Sequence, residues 1–441
     1  MDIDSILKPF QRFGVHLGLK RIQKLLENLG NPHLQVPIIH VAGTNGKGSV
    51  CAYLSSVLTE AGYRVGRYTS PHLVDWTERI CLNEQPIAAD TLQQLLLQVQ
   101  NAILPDEETP TQFEVITAAA WLYFAQSGVD IAVIEVGLGG RLDATNVCPR
   151  PLVSIITSIS REHWQQLGPN AADIAREKAG ILKTNCPAVV GYLPAEAEVV
   201  VRSRINELSI PVVWVKPAQE VAPGWAEFVG ASSTEICVHQ QAISSNPPLL
   251  QPSTFKLQPF KYPLPLLGEM QLSNSAIAIA AIQILQQQGW DISKQAIVNG
   301  MAKTKWAGRL QWITWKNHKL LIDGAHNPAA AKSLRQYIDT LNAKSVKWVM
   351  GMLSTKEHDE IFKAVLRPGD RLYLVPVPDH SSAEPAELAK LAQNICPLAA
   401  CHTYNDLFPA LDAAVAASNL TVLCGSLYLV GHFLRTTQVR G

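Results

Sequence analysis

Several residues in this sequence have the type and spacing to handle a phosphate. Between an apolar run and a helix-forming stretch lies Gly43-Thr44-Asn45-Gly46-Lys47-Gly48-Ser49. Glycines let backbone N–H groups close around phosphate oxygens, a helix start offers its positive dipole end, and Lys47 adds a point charge. The spacing departs from the common G-x-x-x-x-G-K-[ST]: Val41 stands where the first glycine would be, and Ser49 follows Lys47 by two. An ordinary Gly-rich turn has no need of Lys and Ser at those places, so the expectation is a phosphate-binding loop.

A nucleotide site needs a divalent cation, and a carboxylate at the carboxyl end of a sheet strand can hold one. Glu135 closes the apolar run that starts at Asp130 and opens onto Gly137-Leu138-Gly139-Gly140. His163 follows the next apolar run and reaches the same sheet edge as Glu135 if those two strands are neighbours. Lys178 lies in Ile174-Ala175-Arg176-Glu177-Lys178-Ala179-Gly180-Ile181-Leu182, where periodicity alone makes it an exposed helix lysine. Late in the chain, Leu320-Leu321-Ile322-Asp323-Gly324-Ala325-His326-Asn327-Pro328 repeats the arrangement of strand, acid, glycine and histidine. Asp323 and His326 are expected to face a crevice, with Asn327 as helix N-cap and Pro328 opening the helix.

The elements that must position these residues alternate short β-branched runs with helical stretches, the pattern of a parallel sheet wrapped by helices. Strands fit Val36 to Ala42, Val65 to Thr69, Asp130 to Val136, Leu152 to Ile159 and Ala188 to Tyr192. Helices fit Gly48 to Ala61, Asp90 to Ile103, Glu114 to Gln126, Ala171 to Leu182 and Ser273 to Gln288. Lys216 to Pro263 reads as an irregular β-rich insertion. Near Lys303 to Arg309 the alternation restarts. Strands then fit Leu310 to Trp315, Lys319 to Ile322, Val346 to Met350, Arg371 to Val377 and Thr421 to Cys424. Helices fit Pro328 to Leu341, Glu357 to Leu366, Glu384 to Ile395, Leu407 to Ala417 and Leu427 to Arg435. The expected class is α/β: a P-loop-type ATPase domain over 1–304 with a mostly parallel sheet, and a smaller Rossmann-like domain over 305–441.

Composition narrows the functions. The chain has 441 residues, 47% hydrophobic and 17% charged, with 37 basic against 37 acidic residues. It can bury full cores, and its zero net charge gives no pull toward a nucleic-acid backbone. The eight cysteines form no CxxC pair and read as reduced thiols. With neither an apolar leader nor a run of membrane-spanning length, the expectation is a cytoplasmic protein, a monomer without nucleic-acid or membrane partners.

Taken together, these segments resemble the folylpolyglutamate synthase and dihydrofolate synthase family, the folate branch of the Mur-type amide ligases. The resemblance runs through Leu25 to Pro32, the Gly43–Ser49 loop, Thr69-Ser70-Pro71-His72-Leu73, Glu78-Arg79-Ile80 and Thr111-Gln112-Phe113-Glu114. It continues through Glu135 to Asn146, Glu177 to Ile181, Trp306 to Leu310, Asp323 to Pro328 and Gly425-Ser426-Leu427-Tyr428. It implies MgATP-dependent amide formation, in which a folate-type carboxylate becomes an acyl phosphate that the amine of L-glutamate attacks. A bacterial-type enzyme using both dihydropteroate and reduced folates is the leading expectation, with a folylpolyglutamate synthase of single function as the alternative. A Mur ligase acting on a UDP-linked substrate is less favoured, because 42 residues ahead of Gly43 are too few for its extra domain.

Residue by residue, Gly43, Thr44, Asn45, Gly46, Lys47, Gly48 and Ser49 resemble the triphosphate cradle, and Ser70, Glu135 and His163 the ligands of two magnesium ions. Lys178 resembles a lysine carbamylated to support the second metal. Asn274, Arg309 and Asp323 resemble ATP contacts; His326 and Ser426 resemble residues on the glutamate side, His326 with a catalytic role alongside Lys47 and Lys178. Phe113 resembles an aromatic that packs on the pterin. Two positions depart from the pattern: Glu162 replaces the usual Asp before His163, and Met270 replaces the His of Gly-x-His-Gln.

Overall fold

The computed structural model describes residues 2–11, 16–235, 255–416 and 420–437. They form two compact units. The first holds the residues up to His72, Trp76–Pro265 and Gln271–Thr304; the second holds Leu73–Asp75, Leu266–Met270 and the chain from Lys305. Leu73 and Val74 pack on an apolar cluster of the second unit, and Met270 packs on another. Such short apolar excursions carry no periodic signal of their own.

In the first unit the strands are β1 (Ile38–Ala42), β2 (Val65–Tyr68), β3 (Ile80–Leu82), β4 (Gln85–Pro86), β5 (Ile131–Glu135), β6 (Val153–Ile156), β7 (Ala188–Val190) and β8 (Val212–Val215). They are followed by β9 (Gln219–Ala222), β10 (Trp225–Phe228), β11 (Ala231–Glu235) and β12 (Phe260–Pro263). The main sheet has the order β11-β8-β7-β6-β1-β5-β2-β3-β4. From β8 to β2 every pairing is parallel, and the antiparallel strands lie toward the edges. Every residue of β1 and β5 is buried, as strands covered on both faces must be. β6 and β5 flank β1 on opposite sides, so they are not neighbours; the parallel pairing still brings their carboxyl ends to one edge.

Some elements are shorter than their apolar runs. β6 stops at Ile156, where Thr157 and Ser158 turn away to bond Asn45. The helix Ala171–Ala179 ends at Gly180 rather than Leu182. Within the expected insertion, β9, β10 and β12 form a small antiparallel sheet, and residues 236–254 lie outside the described residues. The helix Ala195–Leu208 was not readable from the sequence, since its run Val199-Val200-Val201 favours a strand. No described helix is long and apolar enough to cross a membrane.

The second unit is a six-stranded sheet of order β13-β14-β18-β15-β16-β17, with β13 (Gln311–Trp315), β14 (His318–Ile322), β15 (Val346–Met350), β16 (Arg371–Leu374), β17 (Ala400–Thr403) and β18 (Leu420–Cys424). Only the β13–β14 hairpin is antiparallel. Helices Pro328–Thr340, His358–Val365, Pro385–Ile395, Leu407–Val415 and Leu427–Thr437 alternate with the strands. The expected end of the fourth at Ala417 lies outside the described residues. The chain is therefore α/β in both units.

Candidate active site

The glycine-rich loop leaves the carboxyl end of β1 and enters the helix Lys47–Glu60. Gly46, in the left-handed region at φ 89°, is its N-cap, and no side chain caps the helix. The first N–H groups of such a helix are the donors an anion can take. Asn274 lies so close to Gly46 that a Cβ there would collide with its side chain. The helix Met270–Gln287 thereby covers the loop, and Gln271 Nε2 donates to Ser49 Oγ at 3.3 Å. From the other side the turn after β6 fixes the loop. Thr44 N donates to the Ser158 carbonyl at 2.7 Å, and the Thr157 and Ser158 hydroxyls donate to the Asn45 carbonyl at 2.7 and 3.0 Å. A Cβ on Gly43 would strike Thr157, so this approach requires glycine.

Two lysines converge on the Gly43 carbonyl. Lys47 Nζ donates to it at 3.0 Å and to the Thr44 carbonyl at 3.2 Å; Lys178 Nζ donates to it at 2.7 Å. Lys178 is 5% exposed, the reverse of its exposed look in the sequence. Burial, with the nearby Lys47 charge as a second cause, lowers its pKa to about 7. The Glu162 and Asp143 carboxylates pull the other way. What buries Lys178 is the loop after β5. Arg141 N donates to the Glu177 carbonyl at 2.7 Å, Asn146 Nδ2 to the Arg141 and Gly180 carbonyls, and Gly140 is pressed against Glu177 and Lys178.

Glu135 is buried at the end of β5, and its Oε2 accepts from Ser70 N at 3.1 Å. Ser70 precedes a cis peptide to Pro71. Among the described residues no three of His, Cys, Asp and Glu gather into a metal cluster. A cation here would instead draw on one buried carboxylate, the Ser70 hydroxyl and phosphate oxygens, a hard oxygen set suited to magnesium or manganese. His163 is half-exposed at φ 51°, with Glu162 Oε1 3.9 Å from its Nε2. The loop that carries it is tied to the phosphate loop, since Thr44 Oγ1 donates to the Ser160 carbonyl. Phe113 packs on Gly137 and lies 6.3 Å from the Tyr68 ring, so it walls the glycines after Glu135.

The second unit gathers its own candidates at the carboxyl ends of β14 and β18. Asp323 is buried, and its oxygens accept from Leu310 N and Ala325 N, each at 2.8 Å; burial raises its pKa. Arg309 lies against Gly324. His326 Nδ1 donates to the Gly324 carbonyl at 2.8 Å, which leaves Nε2 with the lone pair in the neutral ring. Gly425 N donates to the Ala325 carbonyl, bringing the Ser426 turn beside the His326 turn, and Ser426 Oγ accepts from Tyr428 N. Asn327 caps the helix Pro328–Thr340 through Ala330 N, as its sequence position suggests. Met270 packs with Gly268 and Leu310, so the residue replacing the family's His is an apolar plug of this unit.

Sequence reasoning missed Thr157 and Ser158, whose hydroxyls brace the loop, and Ser160, which does so through its backbone; the adjacent hydroxyls of Thr157 and Ser158 after a buried strand were the available signal. It also passed over Asp143, a buried carboxylate that accepts from Leu138 N and from Thr145 N and Oγ1. Thr145 Oγ1 in turn meets His40 Nε2 at 2.9 Å, joining this loop to β1.

A family model described as "Mur ligase middle domain" matches residues 41–282, and one described as "Dihydrofolate synthetase, C-terminal domain" matches residues 308–436. The dihydrofolate synthetase of Saccharomyces cerevisiae is 34% identical over 444 residues, covering 96% of this chain and 98% of its own. The Escherichia coli FolC structure in complex with DHPP and ADP superposes with a TM-score of 0.80 at 30% identity, covering 99% and 97%. A bifunctional folylpolyglutamate synthase/dihydrofolate synthase with Mn, AMPPNP and L-glutamate bound gives 0.79 at 28%, covering 100% and 98%. The chain thus belongs to the dihydrofolate synthase/folylpolyglutamate synthase family of Mur-type ligases, ATP-dependent enzymes that form C–N bonds.

Proposed function

We propose that this enzyme joins L-glutamate to dihydropteroate and lengthens reduced folates by the same chemistry. The terminal phosphoryl of ATP passes to an oxygen of the acceptor carboxylate, releasing ADP. The glutamate amine then attacks the acyl carbon, phosphate leaves with the C–O electron pair, and the amine proton is lost. An unactivated carboxylate would have to expel oxide, whereas phosphate leaves readily. The observation that carries the reading is the junction at Gly43, where an uncapped helix start and two lysines meet beside the buried Glu135.

In this reading residues 43–49 cradle the phosphates, with Lys47 balancing their charge in the transition state. Ser70, Glu135 and His163 would hold the divalent cations, which would neutralise charge gathering on the transferring phosphoryl group. Neutral Lys178 adds CO2, forming an N–C bond and releasing a proton; the resulting carbamate would offer an oxygen ligand to a second divalent cation. A pKa of about 7 supports this, because only the neutral amine reacts. Asn274, Arg309 and Asp323 contact the nucleotide, Phe113 the pterin, and His326 and Ser426 the incoming glutamate. In this reading the protein is a cytoplasmic monomer; the seven described cysteines, all free and mostly buried, support a reducing compartment.

A second reading, dihydropteroate as the only acceptor, is favoured by the C-terminal family description and the yeast relative. Mass spectrometry of products after incubation with dihydropteroate, and separately with tetrahydrofolate, distinguishes the two. The proposal expects one added glutamyl unit on the first and one or more on the second. Unmodified tetrahydrofolate selects the second reading, and unmodified dihydropteroate removes the synthase activity.

A further inference from the structure

Tyr192 is 78% exposed at the carboxyl end of β7 and, among the described residues, has no hydrogen-bonding or ring partner. A single exposed ring carries no message by itself; what lies beneath this one does. Gly191 bonds back to the Ile156 carbonyl, and a Cβ on it would collide with the Thr157 carbonyl and with Ile277. Thr157 is the residue whose hydroxyl holds the Asn45 carbonyl of the phosphate loop. Ile277 lies one helical turn beyond Asn274, which covers Gly46. Gly46, Asn274, Ile277 and Gly191 therefore form a continuous shelf from the phosphate loop to Tyr192.

Direction follows from the strand order. Ser70 and Glu135 follow or end β2 and β5, on one side of β1, while β6 and β7 lie on the other. A nucleotide whose terminal phosphate points toward Glu135 must send its nucleoside the opposite way, across β6 toward β7. Two interstrand spacings are about 10 Å, comparable to the span from the middle phosphate to the base in an extended nucleotide. We propose that Tyr192 is the stacking platform for the purine base of the bound nucleotide. This inference rests on the ATP-site reading above and adds a residue to it. Its phenyl face supplies contact at small entropic cost, because only two side-chain torsions must be fixed.

The test compares the full-length protein with Tyr192→Ala and Tyr192→Phe, measuring calorimetric binding of ADP and of inorganic tripolyphosphate, together with kcat and KM for ATP. Tyr192→Ala is expected to weaken ADP binding and raise KM roughly tenfold, the size of one lost base–aromatic stack. Tripolyphosphate affinity and kcat should stay within about twofold on this account, and Tyr192→Phe should behave as wild type. Unchanged ADP affinity in Tyr192→Ala overturns the stacking role while leaving the phosphate site intact. Equal weakening of ADP and tripolyphosphate also overturns it, since the loss would then be general. A wild-type protein that binds neither probe removes the underlying site as well.

Discussion

Lys47→Ala is expected to lower kcat by on the order of 10²–10³-fold, as loss of one well-placed charge at a transition state does. Lys47 Nζ is held by the Gly43 and Thr44 carbonyls, so the side chain points back over its own loop. Phosphate oxygens would compete for the same ammonium, and little reorganisation is needed to reach them. The fold should survive, because the loop is fastened by Thr44, Asn45, Thr157 and Ser158 independently of Lys47. Circular dichroism and thermal melting check the fold, and stopped assays of phosphate release check the rate. A Lys47→Ala enzyme of near wild-type rate would remove the triphosphate assignment.

Lys178 carries the second large effect, with two readouts of different sign. Lys178→Met should reduce turnover roughly 10–100-fold, the range for losing a group that supports a metal. Short carboxylates such as acetate should restore part of it in Lys178→Ala. Stability should move the other way. The folded-state pKa of about 7 lies below the ordinary lysine value of 10.5, so folding strips the proton between those two pH values. Below pH 7 both states are protonated and the whole cost of burying the charge falls on the native protein; as pH rises from 7 toward 10.5 that cost disappears. Lys178→Met should therefore melt higher than wild type at pH 6, with the advantage shrinking through pH 8 and 9. Removal of dissolved CO2 should slow the wild type and leave Lys178→Met unaffected. A fully active Lys178→Met enzyme contradicts carbamate support.

The parts of the site legible in the sequence are those written locally. The Gly43–Ser49 loop announces itself because strand, glycines, lysine and helix follow one another within a few residues, and the same holds for Asp323 to Pro328. Lys178 was illegible from periodicity, since what buries it comes from far away in the chain: the Gly43 carbonyl and the Arg141–Asn146 loop. The order of the strands was equally hidden. Glu135 ends β5 and His163 follows β6, strands that flank β1 rather than adjoin each other, and nothing in an apolar run states its neighbour. Strand ends were overestimated for a related reason. Ile159 is apolar and buried, but the hydroxyls of Thr157 and Ser158 bond the phosphate loop and end β6 early. Of the two departures from the family pattern, Met270 has a visible packing role, while nothing in the structure explains Glu162 in place of Asp, whose charge toward Lys178 would be the same. The role of Met270 was not deducible without its three-dimensional neighbours.

The most direct measurement is a crystal structure of the full chain grown with ADP and magnesium. The account predicts phosphate oxygens against the backbone N–H groups of residues 46 to 49, with Lys47 Nζ turned from the Gly43 carbonyl to the phosphates. Nucleotide bound at another place, with the turn between β1 and its helix unchanged, would contradict it.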